Sequence, residues 1–346
     1  MRSRASTALT LAVAMLLATA TSAAACGGLV AANGSVQLLR TATLAAYVDG
    51  VEHYITSFEF GSAEESFGSI VPLPGVPTYV ARGGDWTLQR LAQEVAPPAP
   101  EGALLRAVDQ AADEEVEVLL ETRIDSLDIT VVRGGGAAVA EWADQEGFVL
   151  PDDAPEMLEF YAARSPVFMA ARFDVEAAAA DSFELGDGVP VHLTIPTDNP
   201  WVPLRILSLG KADAEIVDAD VYLLTPDEPA VLTGQGVTRE LSQPASASLL
   251  ADLRSDEGMD WIPADGWLTY LRVRTPAWAL DYDLAVDVTP VADPSIVAAG
   301  FADPLDATGP RIPGSAVPAA PIALAAVLAA VLLAWWVSRR LINSPH

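Results

Sequence analysis

The sequence predicts an α+β, mainly β ectodomain of antiparallel sheets with a few helices, followed by one C-terminal transmembrane helix. Three observations predict it. Proline and glycine, 26 and 24 residues, punctuate the chain in a way that suits short strands and turns rather than a helical bundle. Asp49-Gly50 divides two apolar runs in "VQLLRTATLAAYVDGVEHYITSFEF", a hairpin signal because both turn positions take positive φ. Apolar stretches lie near both ends, and the remainder of a chain that is 51% hydrophobic still suffices for a sizeable core.

Residues 1–25 read as a signal peptide. Arg2 and Arg4 form a positive start, "LTLAVAMLLATA" is an apolar stretch of secretory length, and Ala23-Ala24-Ala25 offers small side chains for cleavage. The apolar run falls short of the about 20 residues a spanning helix needs, although an uncleaved anchor is the alternative. Cys26, the single cysteine, follows at once and has no internal disulfide partner. Ordinary cleavage near Ala25 and lipidation of Cys26 both fit, but a lipoprotein signal prefers an aliphatic residue where Ala23 stands.

The exported part, 26–302, begins with the Asp49-Gly50 hairpin. In its second arm Tyr54, Thr56, Phe58 and Phe60 alternate with His53, Ile55, Ser57 and Glu59, the period of a strand. "FGSIVPLPGVP" reads as a third strand, and Pro72, Pro74 and Pro77 predict an extended exit from the sheet. A helix is expected over Asp85–Val95, capped by Asp85, with Trp86, Leu88, Leu91 and Val95 as its apolar stripe. Glu115–Arg133 is strand-like. The glycines 134–136 lead into a helix through Trp142, and a further helix spans Ala154–Ala163 with Pro155 in its first turn. "VFMAARFDV" is another strand. Beyond a possible subdomain break near 174–190, "VPVHLTI", "VPLRILSL", "ADVYLLTP", "WLTYLRVR" and "YDLAVDVTP" read as strands, and Ala245–Leu253 as a helix.

Residues 303–318, rich in Pro, Gly and Ala, read as a stalk. Residues 319–338 are uncharged and long enough, at about 1.5 Å per residue, to cross a ~30 Å hydrocarbon core. Trp335 and Trp336 fit an interfacial belt, and Arg339 and Arg340 place the tail, 339–346, in the cytoplasm. A buried core helix is the competing reading. No LPxTG motif precedes the stretch, so a wall-sorting signal is not expected. The localisation that follows is a bacterial plasma membrane, single-pass, with the ectodomain extracellular.

Charge narrows the partners. Asp and Glu number 47 against 19 Lys and Arg, a formal net charge of −28. Such a surface repels nucleic acid and suits cations, basic partners and solubility; a saline habitat gives the same excess. An envelope protein or cell-wall component is the expected contact, besides the membrane itself.

Several stretches in order carry a resemblance: "CGG", a hairpin followed by "FGSIVPLPGVP", the segment "GGGAAVAEWADQEGFVLPDDAPEMLEFYAARSPVFMAARFD", then "PWVPLRI" and "ADVYLLTP". Over roughly residues 26–300 the chain resembles the bacterial exported domain-of-unknown-function family 2330, particularly actinobacterial members with a C-terminal membrane helix. The resemblance implies no reaction.

The residues themselves offer little chemistry. His53 and His192 lie in separate strand-like runs and His346 ends the chain, so none has the close spacing of a zinc site. Ser69 in "SFGSIVP" lacks the nucleophile-elbow pattern and reads as a strand serine. "RGGGAAVAE" lacks the spacing of a dinucleotide loop. Calcium is the better acid-based idea, with Asp281, Asp283 and Asp287 in "DYDLAVD", or Asp213, Asp218 and Asp220, as candidates against a background of solvated acids. Trp201, Trp261 and Trp267 sit by proline-containing turns, as a ligand platform or as core. No catalytic residue and no cofactor other than calcium is expected. The expected function is a membrane-anchored, acidic envelope protein with a binding, structural or accessory role; the alternative is an envelope hydrolase using a carboxylate pair.

Overall fold

A computed structural model describes residues 28–32, 38–60, 66–96, 120–175, 188–289, 294–295 and 297–300. The expected signal peptide, Cys26, the stalk, the membrane segment with Trp335, Trp336, Arg339 and Arg340, and His346 all lie outside the described residues, as does most of the 174–190 break. Among the described residues no helix is long and apolar enough to cross a membrane.

The fold is mainly antiparallel β with a few helices. The Asp49-Gly50 hairpin joins β2 (Leu38–Val48) to β3 (Val51–Phe60), with φ of 51° at Asp49 and 83° at Gly50, as a tight primed turn demands. These strands sit in a seven-stranded sheet ordered β13-β14-β11-β2-β3-β9-β5. Its other members are β5 (Tyr79–Arg82), β9 (Val191–Pro196), β11 (Ile216–Thr225), β13 (Val237–Pro244) and β14 (Trp267–Pro276). One pairing, β11 with β2, is parallel.

A five-stranded sheet holds β1 (Gly28–Ala31), β4 (Phe67–Leu73), β8 (Val167–Phe173), β7 (Leu127–Arg133) and β6 (Leu120–Ile124), in that order. The sequence predicts that Pro72 ends β4, yet it lies inside the strand, opposite Phe168 of β8. The β1 ladder reaches only Ile70, so at Pro72 the strand behaves as an edge, which tolerates a missing N–H. A small sheet joins β10 (Trp201–Val202), β15 (Leu284–Asp287) and β12 (Ala230–Leu232).

Among the described residues the helices are α1 (Thr87–Val95), α2 (Gly136–Gln145), α3 (Ala154–Ala162) and α4 (Ala247–Ser255). All four fall where the sequence predicts them. The cap of α1 does not. Asp85 pairs with Arg82 instead, and the carboxylate of Asp256, just after α4, accepts from the Asp85 and Trp86 amides and the Thr87 hydroxyl.

Strand alternation sorts β11 between two cores. Val217, Ala219, Val221 and Leu223 enter the main core with the aromatic face of β3. Tyr222 and Leu224 turn the other way, to a smaller core formed with Leu44, Ile55 and the leucines of α1 and α4. "VPLRILSL" has the pattern of a strand, but forms a 3-10 turn at Arg205–Ser208. The amides of Leu204, Arg205 and Ile206 bond tertiary partners rather than a sheet neighbour.

Candidate functional site

Two clusters of buried titratable groups stand out among the described residues. The first surrounds "PWVPLRI". Asp283 is fully buried, and its Oδ1 accepts from the Tyr161 hydroxyl at 2.8 Å and from the Leu204 and Arg205 amides at 2.8 and 3.0 Å. The Tyr161 hydroxyl in turn accepts from the Ile206 amide at 2.7 Å. This is why the segment turns: three successive donors are bonded to one carboxylate–phenol pair. Burial raises the Asp283 pKa to about 6, against the opposing pull of those hydrogen bonds. Nearby, Arg164 and Arg205 both stack on the Phe160 ring.

Glu52, on the core-facing side of β3, is equally buried. Its Oε1 accepts from the Trp201 amide at 3.1 Å, while Oε2 is sealed from solvent without a hydrogen-bond partner among the described residues. Burial raises its pKa to about 8, so the side chain is predominantly neutral at pH 7. Trp201 touches both networks: its amide holds Glu52, and its ring meets that of Tyr161 edge-on at 5.9 Å.

The second cluster lies on the opposite face of the seven-stranded sheet. His53 of β3 and His192 of β9 project from neighbouring strands, where Ile55 pairs with His192 and His53 with Thr194. His53 Nδ1 and His192 Nε2 are 2.9 Å apart, a hydrogen bond whose donor depends on tautomer. Trp261, in the segment between α4 and β14, stacks on His53 at 3.7 Å and 7°. Burial lowers the pKa of His53 to about 4; burial and the neighbouring His53 lower that of His192 to about 3. Both rings are therefore neutral at physiological pH.

These positions revise the expectations. The two histidines are not isolated; strand pairing joins residues 139 positions apart. Ser69 is a buried strand residue. Asp281 and Asp283, expected within or beside the strand "YDLAVDVTP", precede β15, and Asp287 accepts from the Thr289 amide and hydroxyl. Asp218 and Asp220 pair with Arg272, Arg274 and Arg40 across the sheet. Among the described residues, no three His, Cys, Asp or Glu side chains form a metal-binding group. Trp201 is core, Trp267 donates to Ser242 at 2.8 Å, and Trp261 serves the histidines. Glu52 escapes sequence reading. Its one signal is a charged residue at an end of an otherwise apolar-alternating strand, and charged strand ends are common.

The model of the family described as an uncharacterized protein conserved in bacteria, DUF2330, matches residues 20–230. The chain belongs to this family. No curated protein matches it. Among solved structures, that of baculovirus P35 is similar at 11% identity and a TM-score of 0.40, covering 72% of this chain and 97% of that one. P35 in a caspase-8/P35 complex gives 10% identity and 0.35, over 71% and 95%. Likeness at this level carries no argument about function.

Proposed function

We propose that this chain is a single-pass protein of the bacterial cell envelope, of the actinobacterial type within its family. In this reading the signal peptide exports the β-rich part, residues 319–338 anchor it, and residues 339–346 remain in the cytoplasm. The exported part acts as a binding, structural or accessory module rather than an enzyme.

One observation carries the non-enzymatic reading. Among the described residues, the two carboxyl groups with raised pKa values, Glu52 and Asp283, are fully buried and engaged by backbone amides. A carboxylate-pair hydrolase needs its acids where a substrate can reach both. Raised carboxyl pKa values here follow from core burial, as in many structural networks. The anchoring reading draws on the uncharged span, its two tryptophans and its two arginines.

Fractionation tests it. The full chain is expected in carbonate-washed membranes, with its β-rich part cut by protease added to spheroplasts. A chain ending at residue 318 and carrying Cys26→Ser is expected in the soluble exported fraction. Soluble full-length chain, or protection from external protease, would overturn the proposal.

A further inference from the structure

The His53–His192 pair has a geometry that the envelope reading does not use. The ring centres are 5.1 Å apart and the facing nitrogens 2.9 Å apart. The nitrogens thus lie close to the line joining the two rings, with their lone pairs opposed. Two nitrogens converging on a tetrahedral ion would be bent away from that line, and a square-planar ion bound trans by them would need further donors, where no group of three His, Cys, Asp or Glu side chains is found among the described residues. Opposed lone pairs suit a single particle held linearly between them. In the resting pair that particle is a proton.

We propose that His53 and His192 form a linear two-coordinate site for a soft monovalent d10 cation of the copper(I) or silver(I) class, roofed by the indole of Trp261. With imidazole–metal bonds of about 2.0 Å, linear insertion needs the nitrogens about 4 Å apart. The rings must therefore separate by roughly 1 Å, within reach of χ rotation on two side chains with no backbone change.

Three further features support the assignment. The indole centre is 3.7 Å from the His53 ring and 5.3 Å from that of His192, so a cation lodged between the rings lies under its π face. Cations within about 6 Å of an indole centre are attracted by its quadrupole. Both imidazoles are neutral near pH 7, the form that ligates metal. No carboxylate contributes to either shift; Tyr79 meets His192 edge-on, and Asp256, on the segment that carries Trp261, is committed to the Asp85 and Trp86 amides just before α1. Two neutral nitrogens without an acid favour a soft monovalent ion over calcium or magnesium, which require several oxygens.

Binding balances without net proton release. The imidazole that donates the resting hydrogen bond moves its proton to its outer nitrogen, and each inner nitrogen then gives a lone pair to the ion. His53 and Trp261 are half-buried, so the site reaches solvent at one edge.

Silver(I) is the probe, because it needs no reductant. The full-length chain in detergent carries Cys26→Ser to remove the competing thiol, and the buffer contains no chloride. Titration is followed by 15N-histidine NMR and by calorimetry. One equivalent is expected to shift His53 and His192 together while His346 stays in place. His192→Gln is expected to weaken binding by at least about tenfold, and Trp261→Phe by a smaller factor. Unmoved His53 and His192 resonances would overturn the proposal. So would undiminished affinity in a His192→Gln chain whose circular dichroism matches the parent. The NMR arm keeps both histidines and so stands even if that variant fails to fold. The site concerns the β-sheet alone, so its failure would leave the anchoring proposal untouched.

Discussion

Glu52→Gln separates burial from charge. Glu52 has no solvent exposure, and its pKa rises from 4.5 to about 8 through desolvation. In the unfolded chain it ionises near pH 4.5; in the folded chain it holds its proton to about pH 8. Between those values the folded state binds more protons, so stability is fully present below pH 4.5 and is lost as pH rises toward 8. At 1.36 kcal/mol per pKa unit the loss from this one group is about 4 kcal/mol between pH 5 and pH 8. The glutamine of the variant cannot ionise. Its carbonyl can still accept from the Trp201 amide, and its NH2 replaces the sealed Oε2, whose O–H in the neutral acid lacks a partner in the parent as well. The variant is therefore expected to be close to the parent in stability at pH 5 and more stable than it at pH 8. Urea unfolding of both chains in detergent, followed by tryptophan fluorescence across pH 5–9, measures the difference directly. Asp283 and the histidines titrate in both chains and cancel. A stability difference that stays constant with pH would refute the reasoning.

Tyr161→Phe removes the acceptor of the Ile206 amide and a donor to Asp283, and is expected to destabilise by about 2–4 kcal/mol in the same assay. Asp256→Ala leaves the Asp85, Trp86 and Glu257 amides and the Thr87 hydroxyl without their side-chain acceptor; a loss of about 2 kcal/mol is expected, with faster hydrogen exchange at residues 85–87. At the acid end, His192 has a depressed folded pKa, so its contribution is present above pH 6.5 and lost as pH falls toward about 3. His53→Gln/His192→Gln should flatten that acid limb, as urea unfolding between pH 4 and 7 would show. An unchanged limb would place the acid sensitivity elsewhere.

The family and the mainly β class are legible in the sequence because their signals are local. Asp49-Gly50 demands positive φ at both turn positions, and both have it. Leu88 and Leu91, or Leu249, Leu250 and Leu253, recur at helical spacing and lie buried on one face. Elsewhere a distant group overrides the local signal. "VPLRILSL" has the composition of a strand, but one buried carboxylate drawn from 78 residues away takes the Arg205 amide and curls the segment. Asp85 stands where a helix cap belongs, yet Asp256, 171 residues distant from it in sequence, accepts from the amides there.

Local pattern, then, determined the hairpin, the helices and most strands, because φ preference and side-chain period act over a few residues. The tertiary structure alone decided which acids are neutral and which histidines meet. Sheet order brought β3 beside β9, and so His53 to His192; core burial, which no local pattern encodes, took Glu52 and Asp283 out of water and set their charge.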